Sequence, residues 1–174
     1  SGVDKDHPDL VGNLTGGYDF VGGDSDPDDE DGHGTHVAGI IAACNNAVGV
    51  RGVAYGAKIM PIRVLDANGS GSSANIISGI RHAADHNADI INMSLGGFGR
   101  SAAEEDAIRY ARSKGCLVVA SAGNENLPTA LAAGETYGGV YCSPADFPGV
   151  LTVMAADEDG HLAVFSNYDT DIGE

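Results

Sequence analysis

From Ser73 onward the sequence alternates segments of helical period with short, continuous apolar runs. No other feature narrows the fold as far. Between Ser73 and His86, the residues Ile76, Ile77, Ile80, Ala83 and Ala84 fall on one helical face. Ala88-Asp89-Ile90-Ile91-Asn92-Met93 then reads as a strand. Ser101 to Lys114 is the clearest helix: Ser101 and Glu104 make a capping-box pattern, Glu105 can pair with Arg109, and Gly115 supplies the stop. Cys116 to Ala120 and Val150 to Ala155 are unbroken apolar runs, the kind covered on both faces of a parallel sheet. Upstream, a helix is expected from about Thr35 to Ala43, and Lys58 to Val64 reads as a buried strand with an irregularity near Pro61. Together these predict an α/β fold, a doubly wound parallel sheet with helices on both faces. Reactive groups in such folds lie beyond the carboxyl ends of strands, which is where Ser94 and Asn124 stand.

At 174 residues the chain fits one domain with a sizeable core, and 43% hydrophobic residues with 26 glycines describe a folded chain rich in tight turns. A formal net charge of −16 argues against nucleic acid as a partner and disfavours an anionic membrane surface. The longest clear apolar run, Val37 to Cys44, is far short of the ~18 residues of a membrane span. Cys44, Cys116 and Cys142 form no zinc spacing; one disulfide, such as Cys116 with Cys142, and three buried thiols both remain open. The acidic run of Asp24, Asp26, Asp28, Asp29, Glu30 and Asp31 fails the EF-hand pattern at Asp29 and Thr35, so a solvated loop is expected. His82 and His86 have metal-pair spacing but lie opposite the apolar helical face, and are read as surface residues. Glu125 to Asp146 reads as a long loop.

Chemistry concentrates in a few short motifs. Gly32-His33-Gly34-Thr35-His36-Val37-Ala38-Gly39 joins a histidine to a small-residue run opening into an apolar helix. It is preceded by Ser1-Gly2-Val3-Asp4 and His7-Pro8-Asp9-Leu10, and followed by Ser94-Leu95-Gly96-Gly97 and Ser121-Ala122-Gly123-Asn124-Glu125. In that order the motifs resemble the subtilisin-like serine peptidases, over nearly the whole chain. The resemblance implies that His33 is the general base and Asn124 the oxyanion donor, with His36 structural. It implies that Gly69, Ser70, Gly71, Ser94, Leu95, Gly96, Ala122 and Gly123 bind an extended peptide substrate. It further implies a structural calcium (Ca2+) loop, with a carboxylate from Asp9, the Asn46 side chain and the carbonyls of Cys44, Val48 and Val50. No organic cofactor is expected. Peptide or protein substrates, a propeptide, a monomeric state and a secreted or cell-envelope location are.

Two parts of the family's triad have no counterpart in these residues. The orienting aspartate of the family immediately precedes the segment matched by Ser1 to Asp4, and the nucleophile motif Gly-Thr-Ser-Met-Ala does not occur. Phe165-Ser166-Asn167 resembles a segment well before that motif, so Ser166 is not read as a substitute. Residues 1–174 are therefore expected to be part of a catalytic domain, inactive by themselves. The alternative is an inactive subtilase-like module that binds peptides or partners. On the peptidase reading, the His33 imidazole and Asn124 carboxamide are expected to meet at one peptide-binding cleft.

Overall fold

The computed structural model describes residues 1–129 and 141–169. Residues 130–140, inside the loop expected between Glu125 and Asp146, lie outside the described residues. The chain divides into two units, Ser1–Ala83 and Ala84–Glu174.

In the first unit, strand β1 (Tyr18–Asp19) pairs in parallel with β2 (Ile62–Arg63). Helix α1 (His33–Ala42) lies between them in sequence, and α2 (Ser73–Asp85) follows. Val3, Leu10 and Ala38 form a core, with Leu14 and Ile59 packed on it. The expected strand from Lys58 to Val64 shrinks to two residues plus an isolated parallel bridge between Leu14 and Ile59. Pro61 breaks the run because it has no N–H to give, although its carbonyl accepts from Tyr18 N at 3.1 Å. On α2, Ile80, Ala83 and Ala84 are buried, as the sequence period requires. His82 departs from its expected surface position. It is half-buried, with its ring 5.5 Å from that of Tyr18 and 5.7 Å from that of Phe20.

The second unit is built on a parallel sheet. After β3 (Ile90–Met93) come β4 (Gly97–Phe98), helix α3 (Ala102–Ser113) and β5 (Leu117–Ser121). Then follow β6 (Pro128–Thr129), β7 (Cys142–Ser143), β8 (Leu151–Val153) and β9 (Tyr168–Asp169). The sheet order is β3-β5-β8; β4 pairs antiparallel with β7, and β6 pairs in parallel with β9. Helix α3 makes the crossover from β3 to β5 and starts as its cap predicts, with Ser101 Oγ accepting from Glu104 N at 3.3 Å. Gly115, at φ 98°, ends it, because only glycine takes that backbone conformation without strain. Glu105 pairs with Arg109 at 3.7 Å and with Arg100 at 2.7 Å.

Packing on the sheet corrects one expectation. Ile91, Met93, Val118 and Ala120 are buried together with Ala107, Ile108 and Ala111 of α3. Their neighbours in the strands, Ile90, Leu117, Leu151 and Val153, are exposed. The strands are apolar on both faces, but successive side chains point opposite ways and α3 supplies cover for one face only. Cys44, Cys116 and Cys142 are all free thiols; Cys116 and Cys142 are buried as expected of the thiol alternative, whereas Cys44 is half-buried. Among the described residues no helix is long and apolar enough to cross a membrane.

Candidate active site

His33 is exposed at the first position of α1. Gly32 caps the helix at φ 101°, a conformation open to glycine, so the helix begins two residues before the expected Thr35. The His33 N–H donates to Asp31 Oδ2 at 3.2 Å. Behind it, Asp29 collects the free N–H groups of the helix start. Its carboxylate accepts from Gly32 N at 3.0 Å, Thr35 N at 2.9 Å and Thr35 Oγ1 at 2.6 Å. Burial by itself would raise the Asp29 carboxyl. Hydrogen bonds from Thr35, Gly32 and Ser1 outweigh that and hold it well below the usual carboxylate range. Thr35 Oγ1 in turn accepts from Asp4 N at 2.9 Å, and Gly34 N donates to Ser1 Oγ at 2.9 Å. A Cβ on Gly34 would collide with the Gly2 carbonyl. The glycine after the histidine therefore admits the Ser1–Asp4 backbone, and the histidine is mounted on a start fixed from two sides.

In the second unit, register brings two of the predicted segments together. Met93 of β3 pairs with Ala120 of β5, so Ser94-Leu95-Gly96 and Ala122-Gly123-Asn124 leave adjacent strands at the same carboxyl end. Gly96 lies close to the Ser143 carbonyl, and Asn92 Nδ2 donates to Ser94 Oγ at 3.0 Å. Asn124 is exposed, and its N–H donates to Glu125 Oε2 at 2.9 Å. Gly123, at φ 108°, has no room for a Cβ against the Asn167 carboxamide.

The loop for which calcium is predicted is tied to Asp9 by hydrogen bonds. Asp9, 1% exposed, accepts from Asn46 Nδ2 at 3.0 Å and Val50 N at 3.0 Å. Cys44 N donates to Asp9 O at 2.8 Å, Asn46 N to Cys44 O at 2.9 Å, and Val48 N to Asn46 Oδ1 at 2.7 Å. A Cβ on Gly49 would reach within 2.6 Å of Asp9 Oδ2, so the loop wraps closely around a carboxylate bonded by neutral donors. Asp9 and Asn46 offer hard oxygens of the kind calcium takes, and in this structure those oxygens accept from N–H groups of the loop itself. The remaining predicted segment, Gly69-Ser70-Gly71, is an exposed turn. Asp66 Oδ1 holds it, accepting from Asn68 N at 2.8 Å and Ser70 N at 3.0 Å.

A model of the subtilase family matches residues 1–174. The chain belongs to that family. It is 46% identical over 171 residues to "Thermophilic serine proteinase" from Bacillus sp. (strain AK1), covering 98% of this chain and 40% of that protein. Against "Thermitase" from Thermoactinomyces vulgaris it is 42% identical over 169 residues, covering 97% of this chain and 57% of that one. Among solved structures, a cold adapted subtilisin-like serine proteinase superposes with a TM-score of 0.83 at 36% identity, covering 96% of this chain and 56% of that one. The fold is thus the α/β subtilisin-like fold, and the chain spans about half the length of the relatives it matches.

Within this subtilase, three polar residues outside the predicted set hold the segments that carry His33 and Asn124, each within its own unit. Asp29 and Asp31 come from the acidic run expected to be solvated. Asp31 is exposed, but Asp29 is half-buried as the anchor of α1. Asn167 is wholly buried and bonded to the Asn124 segment, a role that the sequence of Phe165-Ser166-Asn167 does not announce. The signal for Asp29 was its place four residues before His33, within reach of free helix N–H groups. Asn167 has no comparable local signal, since its partners lie about 40 residues away in sequence.

Proposed function

We propose that residues 1–174 form part of the catalytic domain of a secreted subtilisin-like serine endopeptidase, with His33 as general base and Asn124 as oxyanion donor. The observation that carries this reading is an exposed His33 at the first position of a rigidly anchored helix, in a chain 46% identical to a protein named a serine proteinase. The triad's serine and aspartate would come from outside these residues. His33 would take the serine hydroxyl proton as the oxygen attacks the peptide carbonyl, then return it to the leaving amine. The Asn124 Nδ2–H would donate to the carbonyl oxygen as it becomes negative. Gly69-Ser70-Gly71 and Ser94-Leu95-Gly96 would bind the peptide in extended form through backbone groups, with Ala122 and Gly123 flanking it. The loop of Asp9, Cys44, Asn46, Val48 and Val50 would hold calcium as a structural clamp, apart from the chemistry.

The test is covalent labelling of the full-length protein by a serine-directed phosphonate, read by intact mass. Labelling is expected in the native protein and lost in His33→Ala. Labelling that survives His33→Ala refutes the general-base role. No labelling of the native protein, with peptide binding retained, favours the non-catalytic binding module.

A further inference from the structure

The geometry points to Asn167 as a positioning residue for the oxyanion donor, acting through Glu125 on Asn124. This rests on the proposed role of Asn124. Asn167 is 0% exposed, and every polar atom of its side chain is spent on the segment after β5 or on β7. Oδ1 accepts from Glu125 N at 3.1 Å and Leu127 N at 2.9 Å. Nδ2 donates to Ala122 O at 2.9 Å and Glu125 Oε2 at 2.7 Å, with Cys142 Sγ at 3.7 Å. The backbone joins in: Asn167 N donates to Gly123 O at 3.0 Å, and Asn126 N to Phe165 O at 2.9 Å. Two backbone N–H donors on one oxygen fix which end of the carboxamide faces which way.

Glu125 Oε2 is the link. It accepts from Asn167 Nδ2 and also from the N–H of Asn124. One buried carboxamide thereby fixes the backbone on both sides of Asn124 and, through a single carboxylate oxygen, the Asn124 peptide itself. Asn124 has an exposed side chain in an otherwise irregular turn, so its placement depends on this support. An oxyanion donor works only when preorganised at hydrogen-bond distance from the developing charge, and small displacements are costly.

The experiment is a double-mutant cycle in the full-length protein, with an uncharged peptide amide substrate. Asn124→Ala is expected to lower kcat by about 100-fold or more. Asn167→Ala is expected to lower kcat roughly 10- to 100-fold, with KM within about 2-fold. In the Asn124→Ala background, the further loss from Asn167→Ala is expected to fall below about 3-fold, because the group it positions is gone. Should Asn167→Ala fail to fold, Glu125→Ala, at an exposed side chain, runs the same cycle. Glu125→Gln, which keeps an acceptor oxygen at the same reach, is expected to recover most of the kcat. Equal losses in both backgrounds, or a loss borne by KM, overturn the inference while leaving the role of Asn124 intact. An unchanged kcat in Asn124→Ala removes that role and the inference with it.

Discussion

Replacing Asp29 by alanine tests whether the start of α1 is held by chemistry or merely surrounded by a solvated acidic loop. The substitution removes the acceptor for Gly32 N, Thr35 N and Thr35 Oγ1 at a stroke. Hydrogen bonds to a charged group contribute about 1.5–3 kcal/mol each when buried. This carboxylate is only half-buried, so water replaces part of what is lost and solvent screens the charge. Loss of a helix N-terminal acceptor alone costs about 0.5–2 kcal/mol. A destabilisation of about 2–3 kcal/mol follows, a fall of about 4–12 °C in Tm for a chain of this size. Asp29→Asn keeps one acceptor oxygen and should lose roughly half as much. The pH dependence has a definite sign. The Asp29 carboxyl lies below its unfolded value, so its contribution is full above the unfolded pKa of about 4 and is lost as pH falls below it. The wild-type advantage over Asp29→Asn should therefore shrink on acidification. The assay is denaturant unfolding followed by circular dichroism, run in a His33→Ala background so that self-digestion plays no part. Unfolding of Asp29→Ala at the wild-type midpoint, or an advantage that persists unchanged into strong acid, refutes the argument.

Three further outcomes are expected. Ile108→Ala, at a side chain 1% exposed, should cost about 2–5 kcal/mol in denaturant unfolding, whereas Leu117→Ala on the exposed face should cost less than about 1 kcal/mol. Arg63→Met should cost about 3–5 kcal/mol, because it strands buried Asp19, whose Oδ2 lies 3.3 Å from Arg63 Nη1. Adding Asp19→Asn should recover most of that loss in the same measurement. If the Asp9 loop holds calcium, chelation should lower the Tm of the full-length protein and leave that of Asp9→Asn unchanged, as read by calorimetry.

Apolar period was enough to place α2, α3 and the three strands of the parallel sheet, because burying a stripe or a run is a local requirement that each segment writes into its own residues. The same signal overstated burial. Leu117 and Val118 are equally apolar, yet one is 45% exposed and the other 0%, and only the partner across the face separates them. Motif order nominates candidate site residues but not the groups hydrogen-bonded to their segments. Glu104 shows why. In sequence it completes a capping box, yet in the fold its N–H takes the cap while its side chain is buried, and that burial pushes the carboxyl up. Asn167 follows the same rule: it is an ordinary polar residue until backbone N–H groups about 40 residues away reach it, whereas the N–H groups that Asp29 accepts from stand three and six residues on. A buried N–H must be satisfied somewhere, and the residue that answers is chosen by tertiary geometry. The apolar frame of this subtilase is therefore readable segment by segment. The polar clamp that would aim Asn124 becomes readable only once its distant partners are in place.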